Sequence, residues 1–419
     1  MLRHILTTFA ILLFVFPLLA GENRIDENFY RSDAYFPILA WGSIQLAGDL
    51  AKTQEYYDGL KECGFTLAGF AKTQEELDFC SAAGLKCYLE HPAICRHDWK
   101  NPPDDQELEQ TIAPVIAQFN DHPALHGYFI KDEPAVAEFG GLARLAQILG
   151  RLAPGKEMHI NLLPQYVTSG ELGTVSYEQY LENYMQLLHP EWSGYDYYGF
   201  KQNDDGIVLN ERFWENLAIF GEAARRHQVK FVFCGLACAH WNYPAVTEGM
   251  LALQAYGAIA YGARGLNWYL YQTPPWWGGY HDAPLSRYGF RTPLWGAMQN
   301  LHRTILRYAP VINHLEWHRA YHFGGEAEFL PRPNEESLVK SVGSDQLMVG
   351  EFRHDQTGDD YLVVVNKDFQ RSSPIQLKLH DETREIFRLR PWDTKEERYA
   401  GNRFWLPPGQ AYFFRLPHP

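Results

Sequence analysis

The sequence predicts an α/β protein, a (β/α)8 TIM barrel followed by a small C-terminal antiparallel β-sandwich. Three observations predict it. Short β-rich runs alternate with amphipathic stretches from Tyr35 to about Pro310, the runs number eight, and after residue 330 the helical period stops while β-rich runs continue. At 419 residues the chain is long enough for one large barrel and a small accessory domain. The expected boundaries are a signal peptide over 1–20, the barrel over 21–325 and the sandwich over 326–419.

Arg3 and His4 precede an apolar run from Ile5 to Leu19 closed by Ala20 and Gly21, the layout of a secretory leader rather than of a membrane span. No cysteine follows the small residues, so a lipoprotein anchor is not indicated and the expected location is secreted or periplasmic. The eight strands are expected at 36–42, 65–70, 86–91, 126–132, 157–163, 193–199, 230–236 and 265–271. Helical patterns lie between them, such as Gln74 to Ala83, Glu138 to Leu152 and Thr247 to Tyr261, with Gly64, Gly84 and Gly262 where helix ends are expected. Beyond Pro331 and Pro333, the runs Tyr361 to Asn366, Ile375 to Leu379 and Gln410 to Leu416 are separated by turn chemistry such as Pro407-Pro408-Gly409.

Composition narrows the partners. A formal charge of −14 argues against nucleic acid and anionic membranes and suits a neutral ligand. Aromatic residues make up 15 % of the chain, and many fall near strand ends, where flat rings with a polar edge suit the faces of sugars. The expected partner is therefore a carbohydrate, with no membrane insertion. Six cysteines follow the leader at spacings that match no zinc signature, which leaves buried thiols or structural disulfides. No glycine-rich nucleotide fingerprint follows any strand, and the 17 histidines include no His-x-His after the first strand and no His-Glu-x-x-His, so neither a cofactor nor a metal is expected.

The most informative stretch is His126 to Pro134, an apolar strand ending in Asp132, Glu133 and a proline. The C-terminal ends of barrel strands face the site in this architecture. Cleaving a glycosidic bond usually takes two carboxyl groups, one to protonate the leaving oxygen and one to attack or to activate water. By position the candidates are Glu133, Asp196 in Gly-Tyr-Asp-Tyr-Tyr-Gly, Glu90 in Tyr-Leu-Glu-His-Pro, and Glu248 at the start of a helix. Alternation along the fourth strand groups Glu133 with Lys131 towards the lumen and Asp132 with Tyr128 and Ile130 away from it. Asp132 then supports the site and caps the next helix, with Pro134 at its first position. Asp196, two strands from Glu133, implies backbones about 9 to 10 Å apart and hence room for a water between the carboxyls. Glu90 is placed to raise the Glu133 pKa by like-charge repulsion or to form an ion pair with Lys131 or a nearby arginine.

Gly127 to Pro134, with the later Ala260-Tyr-Gly-Ala-Arg-Gly-Leu-Asn-Trp-Tyr, resembles the barrel glycoside hydrolases of the large clan (clan A) that carries its acid/base glutamate in an Asn-Glu or Asp-Glu pair after the fourth strand. The resemblance covers most of residues 35 to 310 and implies that Glu133 is the acid/base. In that clan the nucleophile is a glutamate ending the seventh strand, yet Phe231 to Trp241 contains no carboxylate. The resemblance thus implies a hydrolase with Glu133 as its acid and leaves the second carboxylate open among the candidates given by position, Asp196, Glu90 and Glu248.

Trp41, His240, Trp241, Trp268, Tyr271 and Gln272 lie at strand ends, with Trp276 and Trp277 in the loop after the eighth strand, and form candidate sugar platforms. Asp132, His91, Asn161 and Tyr198 are candidate polar contacts to hydroxyls. The main alternative is a carbohydrate-binding barrel that has lost catalysis, since fold does not dictate chemistry. Metal-dependent hydrolysis is a further alternative with poor histidine spacing.

Overall fold

The computed structural model describes residues 23–42, 50–204, 206–325 and 327–418, so the leader-like segment lies outside the described residues. Eight strands alternate with helices and close into a parallel barrel: β1 Ile38–Ala40, β2 Leu67–Ala71, β3 Lys86–Leu89, β4 Leu125–Asp132, β5 Glu157–Leu162, β6 Trp192–Asp196, β7 Lys230–Leu236 and β8 Ala263–Tyr269. Neighbours in sequence are neighbours in the sheet, and β8 returns to β1 through the register Leu39 to Asn267. The main helices outside the barrel are α1 Leu50–Glu62, α2 Gln74–Ala83, α3 Asp105–Phe119, α4 Val136–Leu152, α5 Tyr177–Leu188, α6 Arg212–His227, α7 Glu248–Ala260 and α8 Pro293–Ile312.

The barrel is filled by aromatic side chains rather than left open. Leu39, Leu67, Phe70 and Tyr88 pack with Phe129 and Trp41 in the lumen. The Phe70 and Phe129 rings lie 4.4 Å apart, and His159 lies 4.6 Å from Tyr88. Towards the N-terminal end, Glu157 accepts hydrogen bonds from the Tyr88 hydroxyl at 2.8 Å and His126 Nε2 at 3.1 Å. Those donors hold its carboxyl below the ordinary range although burial pushes the other way. Gly127 has to be glycine here, because a Cβ would stand 2.1 Å from the Glu157 carbonyl oxygen.

The C-terminal part is a six-stranded antiparallel sheet of β9 Leu315–His322, β10 Leu347–His354, β11 Asp360–Asn366, β12 Phe387–Leu389, β13 Glu396–Arg398 and β14 Ala411–Leu416. Strand β9 pairs with β10, so the sheet starts upstream of the boundary expected near 325. Alternation splits its side chains between two cores. Leu362, Val364 and Phe414 pack with Val339, Ile375, Leu379 and Leu406 of two short strand pairs, forming the second layer of the sandwich. Tyr361, Val363, Val365 and Phe413 instead join the core that continues into the barrel helices. Helix α7 lies between the two parts, which explains why it is apolar all round and buried from Gly249 to its end. A Cβ on Gly350 would stand 2.2 Å from the Ala260 carbonyl, Trp317 Nε1 donates to that same carbonyl at 3.0 Å, and Tyr308 stacks on Phe413 at 4.2 Å.

All six cysteines are free thiols, and all but Cys95 are buried. Among the described residues, no group of three His, Cys, Asp or Glu side chains is placed to hold a metal ion, and no helix is long and apolar enough to cross a membrane.

Candidate active site

The site is built by a bulge in β4. Phe129 pairs with His159 of β5, but Lys131 pairs with Ile160, so one extra residue is inserted on β4. A bulge re-aims the side chains beyond it. Asp132 therefore comes level with Asn161 and shares the lumen face with Phe129, while Lys131 turns out to Glu138 of α4, 3.3 Å away. This reverses the simple alternation, which put Lys131 inside and Asp132 outside. Asp132 does not cap α4 either: Ala135 is the N-cap, its N–H bonds Glu138 at 3.0 Å, and Pro134 precedes the helix instead of opening it. The Pro134 carbonyl is anchored by the Tyr180 hydroxyl at 2.7 Å.

Glu133 leaves the strand with φ +49, in the left-handed region that costs a residue with a Cβ about 1–3 kcal/mol. Its N–H donates to the Asn161 carbonyl at 2.8 Å. The Asn161 side-chain amide donates to Asp132 at 3.1 Å and to Asp196 at 2.7 Å, so one nitrogen bridges two carboxyls whose oxygens lie within about 6 Å of each other. Buried Asn161 thus gathers residues from β4, β5 and β6 at the C-terminal end of the barrel.

Three carboxyls in one pocket cannot all ionise freely. Burial, followed by the charges of Glu133 and Asp132, pushes Asp196 up to about 7, with the Asn161 hydrogen bond opposing. Glu133 is raised by burial, then by Asp132 and Glu171, and Asp132 is raised by burial. Glu90 does not do this tuning. It lines an adjoining groove and faces Lys72, not Lys131, at 3.5 Å.

Aromatic residues wall the carboxyl pocket, a recess of about 240 Å³ lined by Trp41, Tyr166, Tyr198, His240, Trp241, Tyr243, Tyr269 and Tyr280 around Asp132, Glu133, Asn161, Asp196 and Cys234. Tyr198 stacks on Tyr269 at 5.3 Å, and His240 stacks on Tyr280 at 4.7 Å. His240 donates from Nδ1 to the Cys238 carbonyl at 2.8 Å, and burial lowers its pKa, which leaves a neutral ring with Nε2 as acceptor. Trp241 is 78 % exposed and, like Glu133, has a left-handed backbone, φ +48.

The remaining sequence candidates fall elsewhere. Glu248 opens α7 behind its N-cap Thr247 and lines a recess with Phe369 and Pro408 of the C-terminal part, away from the carboxyl pocket. Trp268 is fully buried and its ring lies 6.1 Å from His302 of α8, so it points out of the barrel. Tyr271 is buried and accepts a hydrogen bond from Trp295 at 3.1 Å, although its edge and Gln272 border the groove beside the pocket. His91 caps the short helix Pro92–Cys95 by accepting from the Ala93 N–H at 3.2 Å. Sequence reasoning missed Tyr166, Cys234, Tyr243, Tyr269 and Tyr280. Parity held the signal for Tyr269, since it shares a face with Asn267 and hence with lumen-facing Leu39, whereas Trp268 does not.

No family model and no curated protein matches the sequence. Solved structures match in fold. A glycoside hydrolase family 5 protein from Bacteroides vulgatus aligns with a TM-score of 0.58 at 12 % identity, covering 91 % of this chain and 89 % of that one. A catalytic mutant of a GH42 β-galactosidase from G. stearothermophilus aligns with a TM-score of 0.60 at 8 % identity, covering 93 % and 99 %. For a β-galactosidase from the psychrophilic Marinomonas ef1 the values are 0.51 and 10 %, and the match spans 67 % of this chain but only 62 % of that one, under two thirds of its length. At such identities the likeness is one of fold: the chain has the (β/α)8 architecture that these glycoside hydrolases also have.

Proposed function

We propose that this protein is an exported glycoside hydrolase that cleaves O-glycosidic bonds with the Glu133 and Asp196 carboxyls. The observation that carries the reading is the Asn161-centred cluster at the C-terminal end of the barrel, with Glu133 strained out of its strand into an aromatic pocket. Coupled carboxyls titrate as a set, so the value near 7 describes a proton that the cluster keeps where isolated carboxyls would have lost it. Glu133 is exposed where Asp196 is buried, and is the one of that pair able to pass the proton to a leaving oxygen. Asp196, ionised in that state and oriented by Asn161, activates a water or meets the developing positive charge at the sugar. Strand β5 separates their strands, the spacing that leaves room for such a water. The leader-like N-terminus supports export, and the shared barrel with a C-terminal sheet is compatible with glycosidase chemistry.

One observation favours the binding-only alternative: β7 supplies Cys234 to the pocket and no carboxylate. Hydrolysis of aryl glycosides and oligosaccharides by the wild type and by Glu133→Gln separates the two. A loss of about 10²–10⁴ in kcat with folding intact is expected. Equal turnover by both proteins removes Glu133 from the mechanism, and binding without turnover by either establishes the lectin-like reading.

A further inference from the structure

Beside the carboxyl pocket runs a second groove of about 370 Å³, lined by Trp41, Phe129, Lys72, Glu90, Gln272, Trp276 and Trp277. The two are continuous, because Trp41 and Asp132 line both. Trp41 is a fixed floor, braced by the Phe70 ring at 5.0 Å and Phe129 at 6.0 Å. Trp276 and Trp277 are 66 % and 46 % exposed, unusual for rings of that size in a segment that is tied down. The loop carrying them is held by Thr273 N–H to the Leu285 carbonyl at 2.9 Å, Leu285 N–H to the Tyr271 carbonyl at 2.8 Å and Arg287 to the Tyr280 carbonyl at 2.8 Å. Trp277 lies 5.1 Å from Tyr280, which in turn stacks on His240 and lies 6.0 Å from Trp241. A ribbon of rings therefore runs from Trp276 past the carboxyls to Trp241.

Charge selects among sugars. Lys72, bordering the groove, faces Glu90, and the carboxyl pocket sets Asp132, Glu133 and Asp196 against a neutral His240 and a nearby cation, Lys201, whose ammonium lies 3.3 Å from the Tyr243 ring. An anionic chain would be repelled from such a cleft.

We propose, building on the glycosidase reading, that the Trp276–Trp277 groove is a glycan subsite continuous with the carboxyl pocket, and that the preferred ligand is an uncharged chain of three or more rings lying from Trp276 to Trp241 rather than a single terminal sugar. Flat rings on a pre-ordered loop bind sugar faces with little ordering cost, and each added platform strengthens binding of longer chains.

The test is calorimetric titration of Glu133→Gln with ladders of one to six units of neutral gluco-, xylo-, manno- and galacto-oligosaccharides, and of oligogalacturonate as the acidic ladder. Affinity for one neutral ladder is expected to rise with length. The double variant Trp276→Ala/Trp277→Ala in the same background is expected to lose roughly tenfold or more for the long members, with Tm unchanged because both rings are exposed. Length-independent binding, no binding by any ladder, or an unaffected double variant overturns the proposal, and tighter binding of oligogalacturonate overturns its charge assignment. Hydrolysis by the wild type is read separately. Length-dependent binding without turnover would sink the catalytic reading while leaving the subsite in place.

Discussion

Replacing Asp196 by asparagine tests the electrostatics of the carboxyl cluster directly. Asn is nearly isosteric and keeps the oxygen that accepts from Asn161. A carboxyl that titrates near 3.8 when free and at about 7 in the fold is worth at most about 4 kcal/mol, at about 1.4 kcal/mol per pH unit. Proton counts give the sign. Between pH 4 and 7 the native state holds a proton that the unfolded chain has released, so the ionised cluster costs stability progressively as pH rises through that window. Above pH 7 the cost is complete, and below pH 4 it is absent. Asp196→Asn should therefore stabilise the protein by about 2–4 kcal/mol at pH 8 and by almost nothing at pH 4, while hydrolysis collapses. Urea melts of both proteins at pH 4, 6 and 8 measure this. A stability difference that stays constant across pH, or a variant less stable at pH 8, would refute the claim that burial and like charge make the Asp196, Glu133 and Asp132 cluster retain a proton.

Phe70→Ala removes a ring in contact with Trp41 and Phe129 and should cost about 3–5 kcal/mol in denaturant unfolding; a loss under about 1 kcal/mol would mean the lumen is loosely packed. Glu157→Gln breaks the pair with His126 and should cost about 3 kcal/mol at pH 7. Because the Glu157 pKa is depressed in the fold, that contribution is present above its ordinary value of 4.5 and lost as pH falls through the lowered value, so acid unfolding curves of the two proteins should converge. Wild-type activity should be bell-shaped in pH with an alkaline limb near 7, and a flat profile from pH 6 to 9 would remove the shared proton from the mechanism.

The barrel was legible because parallel strands buried on both faces read as short apolar runs, and several crossover helices start at a side-chain cap, as Thr73 and Glu76 show at α2 and Ser176 at α5. The first residue of β5 and both ends of β7 lie where the sequence placed them. Which face a side chain takes was not legible, because period-2 reasoning propagates any single inserted residue to the end of the strand. The β4 bulge is such an insertion, and no residue type between Phe129 and Lys131 announces it. In β8 the register runs unbroken from Leu266 to Tyr269, and there alternation does separate Trp268, which packs outside, from Tyr269, which lines the site. Tyr280 could not be found by strand counting at all, since it returns to His240 through a two-residue antiparallel pairing in a long loop. Glu90 and Glu248 were placed by strand order alone, and order along a chain does not say which carboxyls converge.

Helix α7, enclosed by barrel on one side and sheet on the other, bears on how the molecule comes apart. Detaching the segment after Ile312 would strip the cover from Ala260 and Tyr308 and leave a water-facing apolar scar, so the first 312 residues are not an independent folding unit. The boundary between the two parts is one of topology. Heat or denaturant should dissolve both together in a single cooperative transition.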